Sequence, residues 1–138
     1  MSCLFCKIAN GEIPATRIAE SDSALAFLDV MPLTDGHVLV IPREHAGTVE
    51  EMSAESAAGV FALAAQLAGP VRRGLDAEGT TIGINDGAVT GQTVPHVHVH
   101  IVPRFAGDGA GSIHSIFPAH AADPAPLDET ATRIRSAL

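Results

Sequence analysis

Residues 96–100 read His96-Val97-His98-Val99-His100, a strict alternation of imidazole and valine. Successive side chains of a strand point to opposite faces, so this run sets three imidazoles on one face and Val97, Val99 and Ile101 on the other. At a rise of about 3.3 Å per residue, neighbouring rings on that face start about 6–7 Å apart. That spacing suits a metal cluster or a row of hydrogen-bonded rings. It does not suit an ordinary solvent face, where lysine, glutamate and threonine prevail.

Two chemistries stay open for such a row. Three imidazoles can hold a catalytic zinc whose fourth position is left to water. Alternatively, a neutral imidazole is a nucleophile near pH 7, and a neighbour can fix which nitrogen is free by bonding the other. The preceding loop, Asp86-Gly-Ala-Val-Thr-Gly-Gln-Thr-Val-Pro95, leans to the second. Gly91 permits close backbone approach, and Gln92 and Thr93 supply donors of the kind that hold phosphate oxygens. A dedicated metal cage would want carboxylates or thiols there.

Composition narrows the partners. At 138 residues, with 46% apolar and 17% charged, the chain has the size and profile of one packed domain. Eight basic side chains against sixteen acidic ones give a net charge of -8, which argues against a nucleic acid polymer or an anionic membrane as partner. Five Phe and no Trp or Tyr leave few platforms for stacking bases. No segment approaches the about 20 apolar residues of a membrane span, and the N-terminus lacks a secretory apolar core. Cys3 and Cys6 suit a metal or redox role in a reducing compartment, so a cytoplasmic protein is expected. As a lone pair they could also be two buried thiols. A structural zinc would need two further ligands, for which His45 and His96 are the natural completions.

Along the chain, Ser2 is expected to cap a short helix ending at Asn10-Gly11. Strands follow at 16–20, 24–29 and 37–41, the last stopped by Pro42. Ser53 opens the clearest helix, with Val60, Ala64, Leu67, Ala68, Val71 and Leu75 at helical spacing; Pro70 should kink or split it, and Gly79 should end it. Further strands are expected at 80–85 and 96–102, the latter bounded by Pro95 and Pro103. Residues 105–126 read as an extended tail and 127–137 as a closing helix. Paired strands around one long helix predict an α+β fold with an antiparallel sheet of about five strands.

The run Gly91-Gln92-Thr93-Val94-Pro95-His96-Val97-His98-Val99-His100-Ile101 resembles the His-x-His-x-His-x-x signature of the histidine triad (HIT) family. Three further segments resemble the family, in its order: Phe5-Cys6-Lys7-Ile8 with Glu12-Ile13-Pro14, then Ala26-Phe27-Leu28-Asp29, then residues 36–43, Gly-His-Val-Leu-Val-Ile-Pro-Arg. The resemblance covers residues 3–104, and the tail 105–138, with His114 and His120, is expected to belong to the same domain without an assigned role. It implies a HIT-like fold, a homodimer with one shared sheet, and a nucleotidyl hydrolase or transferase. The reaction implied is at the α-phosphate of nucleoside phosphoramidates or dinucleoside polyphosphates, without a catalytic cofactor. His98 would attack the phosphorus, and water would then release the nucleoside monophosphate from the covalent nucleotidyl-imidazole. His100 and His37 would contact phosphate oxygens or order the nucleophile, and Gln92 and Thr93 would hold the phosphate or leaving group. Asp29 would accept the ribose hydroxyls, Asn85 would bond a phosphate or the nucleophilic strand, and Phe5, Ile8, Ile13 and Val30 would line the base pocket. A subset of bacterial members carries a Cys2His2 zinc, which implies a structural zinc on Cys3, Cys6, His45 and His96. Two alternatives remain: a zinc hydrolase with the three histidines as ligands, and a nucleotide-binding regulatory protein whose turnover is incidental.

Overall fold

In the computed structural model, which describes residues 3–138, the chain runs α1 (Leu4–Ala9), β1 (Arg17–Glu20), β2 (Ala24–Leu28), β3 (Val38–Pro42), α2 (Ala54–Gly74), β4 (Gly79–Gly83), β5 (Val99–Arg104) and α3 (Leu127–Arg135). The strands form one sheet in the order β1-β2-β3-β5-β4, and every neighbouring pair is antiparallel. This is the α+β fold expected from the sequence. Ser2, expected to cap α1, lies outside the described residues, and the observed cap is Cys3. Residues 3–108 and 109–138 form two compact units. The sheet, α1 and α2 belong to the first; the second holds a 3-10 turn at Ile113–Ile116, within the stretch expected to be extended, and α3.

The central strands β2 and β3 are apolar along their whole length because the sheet is covered on both faces. On one face Ala24, Ala26, Val38, Val40, Val99 and Ile101 pack against Val60, Leu63, Ala64, Leu67 and Val71 of α2. On the other, Leu25, Phe27, Leu39 and Ile41 pack against Phe5, Ile8 and Ala9 of α1. His100 lies opposite Leu39 in the β3–β5 register. Since Val99 and Ile101 face α2, alternation turns His100 to the side of α1.

Three sequence expectations are corrected. First, α2, capped as expected by Ser53 Oγ accepting from the Ser56 N–H at 3.1 Å, is not split at Pro70 but continues through it. Pro70 is exposed, and so is Gln66, whose carbonyl loses its helical donor and can turn to water instead. Second, the helix ends at Gly74 rather than at Gly79. Asp76 takes φ 54, and the N–H groups of Ala77 and Asp76 close onto the carbonyls of Arg72 (2.9 Å) and Arg73 (3.5 Å), a Schellman stop in which aspartate stands where glycine is usual. Gly79 opens β4. Third, β5 is Val99–Arg104, not 96–102. Pro95 centres a tight turn in which the His96 N–H donates to the Val94 carbonyl at 2.8 Å, and the Val97 N–H goes to Ala46 O at 2.8 Å. At the far end β3 begins only at Val38, opposite Ile101, so Pro103 pairs with β4 alone and its missing N–H is not needed on the other side.

Candidate active site and metal cluster

The Pro95 turn removes His96 from the strand and hands it to a separate cluster. Its Nε2 lies 2.8 Å from the Pro42 carbonyl, which can only accept, so Nε2 carries the proton and Nδ1 presents a lone pair. That Nδ1 lies 3.4 Å from Cys3 Sγ, 3.5 Å from Cys6 Sγ and 3.3 Å from His45 Nδ1, and Cys6 Sγ lies 3.3 Å from His45 Nδ1. Zinc bonds of about 2.3 Å to sulfur and about 2.0–2.1 Å to nitrogen give a tetrahedron whose S–N and N–N edges are about 3.5 and 3.3 Å. The four ligand atoms therefore already stand at the spacing of a tetrahedral metal site, and all lie within 4.8 Å of one another. α1 supplies both thiols, because Cys3 is its N-cap and Cys6 follows one turn later. Burial first, then the neighbouring Cys3 and Glu12, push the Cys6 thiol up to about 11. Such crowding resists a pair of thiolates unless a cation lies between them.

His98 is buried, at 6% exposure, and faces the opposite task. Its Nδ1 donates to the His96 carbonyl at 2.7 Å, which leaves Nε2 as the free lone pair. Phe5 braces the ring edge-on at a centroid distance of 5.2 Å, and the His100 ring lies 5.0 Å away. His37, at the entry to β3, shares a proton with His100 across 2.9 Å between Nε2 and Nδ1. Nδ1 of His37 accepts from the Leu33 N–H at 3.1 Å, and Asp29 Oδ2 lies 3.6 Å from it. The far nitrogen of His100, Nε2, is buried and has no hydrogen-bond partner among the described residues. Burial lowers the pKa of His37 against the pull of Asp29. His100 is lowered to about 4, by burial first and then by His98 and His37. It is therefore a neutral imidazole at neutral pH.

This geometry bears on the three-histidine zinc reading. Both ring nitrogens of His96 are engaged away from the row, so His96, His98 and His100 do not converge on one point. Asp29, His37 and His100 do come together. Their closest nitrogens, 2.9 Å apart, are nearer than the about 3.3 Å edge of a tetrahedral site and suit a shared proton.

The remaining expected residues divide. Phe5 and Ile8 are buried in the α1 cluster with Ile13 packed against them, whereas Val30 stands apart at 93% exposure in the loop after Asp29. Asn85 and Thr93 are exposed. Gln92 is not the free donor expected. Its Nε2 donates to the carbonyls of Gly47 (2.8 Å) and Val94 (3.1 Å), and its Oε1 accepts from the Gly87 N–H at 2.8 Å. Gln92 thus braces the loop, with Gly87 and Gly91 at φ 95 and 94 on either side of the short turn Ala88–Thr90. What sequence reasoning missed are the main-chain partners: Pro42 O, His96 O and the Leu33 N–H carry no residue signature.

Comparison with known proteins bears the resemblance out. Residues 10–107 match the HIT domain. An adenosine 5'-monophosphoramidase of Schizosaccharomyces pombe is 43% identical over 104 residues, 75% of each chain. The crystal structure of a HIT family member from Bacillus subtilis superposes with a TM-score of 0.88 at 36% identity, covering 100% of this chain and 98% of that one. A zinc-bound histidine triad family protein from Mycobacterium smegmatis gives a TM-score of 0.75 at 37% identity, covering 100% and 99%. The chain belongs to the HIT family of nucleotide hydrolases and transferases. Among the described residues no helix is long and apolar enough to cross a membrane.

The buried imidazoles predict a pH dependence of stability. With the folded pKa of His100 near 4 against an ordinary 6.5, the unfolded chain binds the extra proton between those values. Its contribution is full above about pH 6.5 and is lost as pH falls through 4. Denaturant unfolding at pH 7 and pH 4.5 should show the loss, and His100→Gln should lessen it; an equal loss in that variant would refute the assignment.

Proposed function

We propose that the protein hydrolyses nucleoside 5'-phosphoramidates, with dinucleoside polyphosphates as the second substrate class, through a nucleotide carried on His98. The observation that carries this reading is the His98 Nδ1 to His96 carbonyl hydrogen bond, which occupies Nδ1 as donor and leaves Nε2 as the nitrogen that can attack. The identity with an adenosine 5'-monophosphoramidase supports the substrate class. In the first step Nε2 forms a bond to the α-phosphorus while the P–N bond breaks, and the amine leaves with the bonding pair and takes up a proton from solvent. In the second, water forms the new P–O bond and gives up its proton to solvent, the Nε2–P bonding pair returns to Nε2, and a nucleoside monophosphate departs. Phosphoryl transfer asks chiefly for positioning and charge stabilisation. His100 Nε2, buried and without a partner among the described residues, is assigned to a phosphate oxygen, with His37 ordering it. Thr93 and Asn85 reach the phosphate or leaving group from the exposed side, and Gln92 acts through the loop it braces. Asp29 takes the ribose hydroxyls with Oδ2, since Oδ1 already accepts from the Met31 N–H at 2.9 Å. The base is assigned to Ile13 and Val30, with Phe5 and Ile8 beneath.

His98→Ala tests this directly. Turnover of adenosine 5'-phosphoramidate should fall about 10⁴-fold or more while calorimetric affinity for the monophosphate stays nearly unchanged. Substantial residual turnover would refute the assignment.

The Cys3, Cys6, His45 and His96 cluster fits a zinc ion, and we assign it a structural one. Four protein ligands close the coordination shell, so the ion would crosslink α1, the segment after β3 and the approach to β5 without touching substrate. Such a site keeps its thiols reduced, in keeping with a cytoplasmic protein. A homodimer joined through β4, an exposed edge strand, is the assembly we assign. Elemental analysis of purified protein should find one zinc per chain, and Cys3→Ser should lose both zinc and thermal stability. Metal-free protein whose Cys3→Ser variant is equally stable would overturn the zinc assignment.

A further inference from the structure

The reaction as read needs the proton of His100 on Nε2, facing phosphate, and not on Nδ1. Resting on that reading, we infer that the main-chain N–H of Leu33 is the positioning group that puts it there, with the Asp29 carboxylate as the competitor it displaces.

A main-chain amide can only donate. Leu33 N–H, 3.1 Å from His37 Nδ1, therefore requires a lone pair on that nitrogen. The single proton of neutral His37 must then sit on Nε2, where it donates to His100 Nδ1 at 2.9 Å. His100 in turn must hold its own proton on Nε2, the buried atom without a partner among the described residues. The opposite polarity is also within reach, because Asp29 Oδ2 lies 3.6 Å from the same Nδ1 and would favour a proton there. His37 Nε2 would then accept from His100 Nδ1–H, and His100 would turn a lone pair toward a phosphate oxygen. One nitrogen cannot serve both partners, so the choice at His37 decides whether His100 attracts or repels the substrate.

The surroundings favour the amide. Asp29 Oδ1 is held by the Met31 N–H at 2.9 Å, which restrains the carboxylate. The loop carrying Leu33 is tied at both ends. Asp29 N–H donates to His37 O at 2.9 Å, His37 N–H to Thr34 O at 3.1 Å, and the Thr34 hydroxyl to Pro103 O at 2.8 Å. Gly36, at φ 86, lets the loop close where an added Cβ would collide with the Leu75 side chain. His37 is 2% exposed, whereas Leu33 is 75% exposed, so Leu33 acts through its amide and not through its side chain.

The test reads protons before it reads rates. Long-range ¹⁵N spectra of the substrate-free protein near neutral pH should place the protons of both His37 and His100 on Nε2. A through-hydrogen-bond coupling should join the Leu33 amide nitrogen to His37 Nδ1. A proton on His37 Nδ1, or no such coupling, would overturn the inference. Replacing Leu33 by its α-hydroxy analogue deletes the N–H alone, and Leu33→Pro is the genetic equivalent. Either should move the His37 proton to Nδ1 and lower kcat for adenosine 5'-phosphoramidate about 100-fold or more, the cost of losing one transition-state donor, with KM little changed. Unchanged tautomers, or a loss confined to KM, would overturn it; where a variant does not fold, the wild-type coupling decides. Wild-type protein with the expected tautomers but no turnover of any nucleotide would refute the reaction and still support the polarity.

Discussion

The 2.7 Å hydrogen bond from His98 Nδ1 to the His96 carbonyl joins two sites that would otherwise be independent. One residue serves both. The His96 ring belongs to the cysteine cluster, and its main chain fixes the tautomer of the proposed nucleophile. A single neutral hydrogen bond contributes only about 1 kcal/mol of net stability. Its larger effect here is on identity, because an imidazole with Nδ1 protonated has no choice but to offer Nε2. The cluster is therefore coupled to His98: whatever holds the His96 ring also holds the carbonyl that fixes the His98 tautomer.

The two-sided sheet makes this economy possible. α2 fills one face with aliphatic side chains, leaving the other to α1, Phe5 and the imidazoles. Main-chain groups then decide each proton: Pro42 O for His96, His96 O for His98, Leu33 N–H for His37. Burial lowers the pKa of both His37 and His100 and so favours their neutral forms, and the site presents His100 Nε2 without a partner among the described residues. On a chain of net charge -8 an anionic substrate gains nothing from bulk attraction, and local donors must hold it.

Much of this was legible in the residues. The long apolar runs at β2 and β3, the Ser53 cap and the four members of the cysteine cluster were all readable, because periodicity, capping and ligand chemistry reside in side-chain type. The alternating histidines marked the site and the face it occupies, since Phe5 packs edge-on against both His96 and His98 and the His98 and His100 rings are neighbours. What periodicity did not show is that Pro95 turns the chain before β5, so that the His96 ring joins the cysteines and not the other two imidazoles. Gln92 looked like a phosphate donor because its type fits. Three main-chain partners absorb it, and no sequence pattern announces them. The stop of α2 was misplaced for the same reason, since Asp76 adopts a conformation usually read from glycine.

The central claim is that His98 Nε2 is the atom that takes the nucleotide. Rapid acid-free quenching of the reaction with a labelled nucleoside phosphoramidate, followed by peptide mass spectrometry and ³¹P NMR, tests it most directly. The expected result is a nucleotidyl group on Nε2 of His98 that forms and decays at least as fast as turnover. A nucleotide carried on any other residue, or steady turnover with inversion at phosphorus and no adduct, would contradict it.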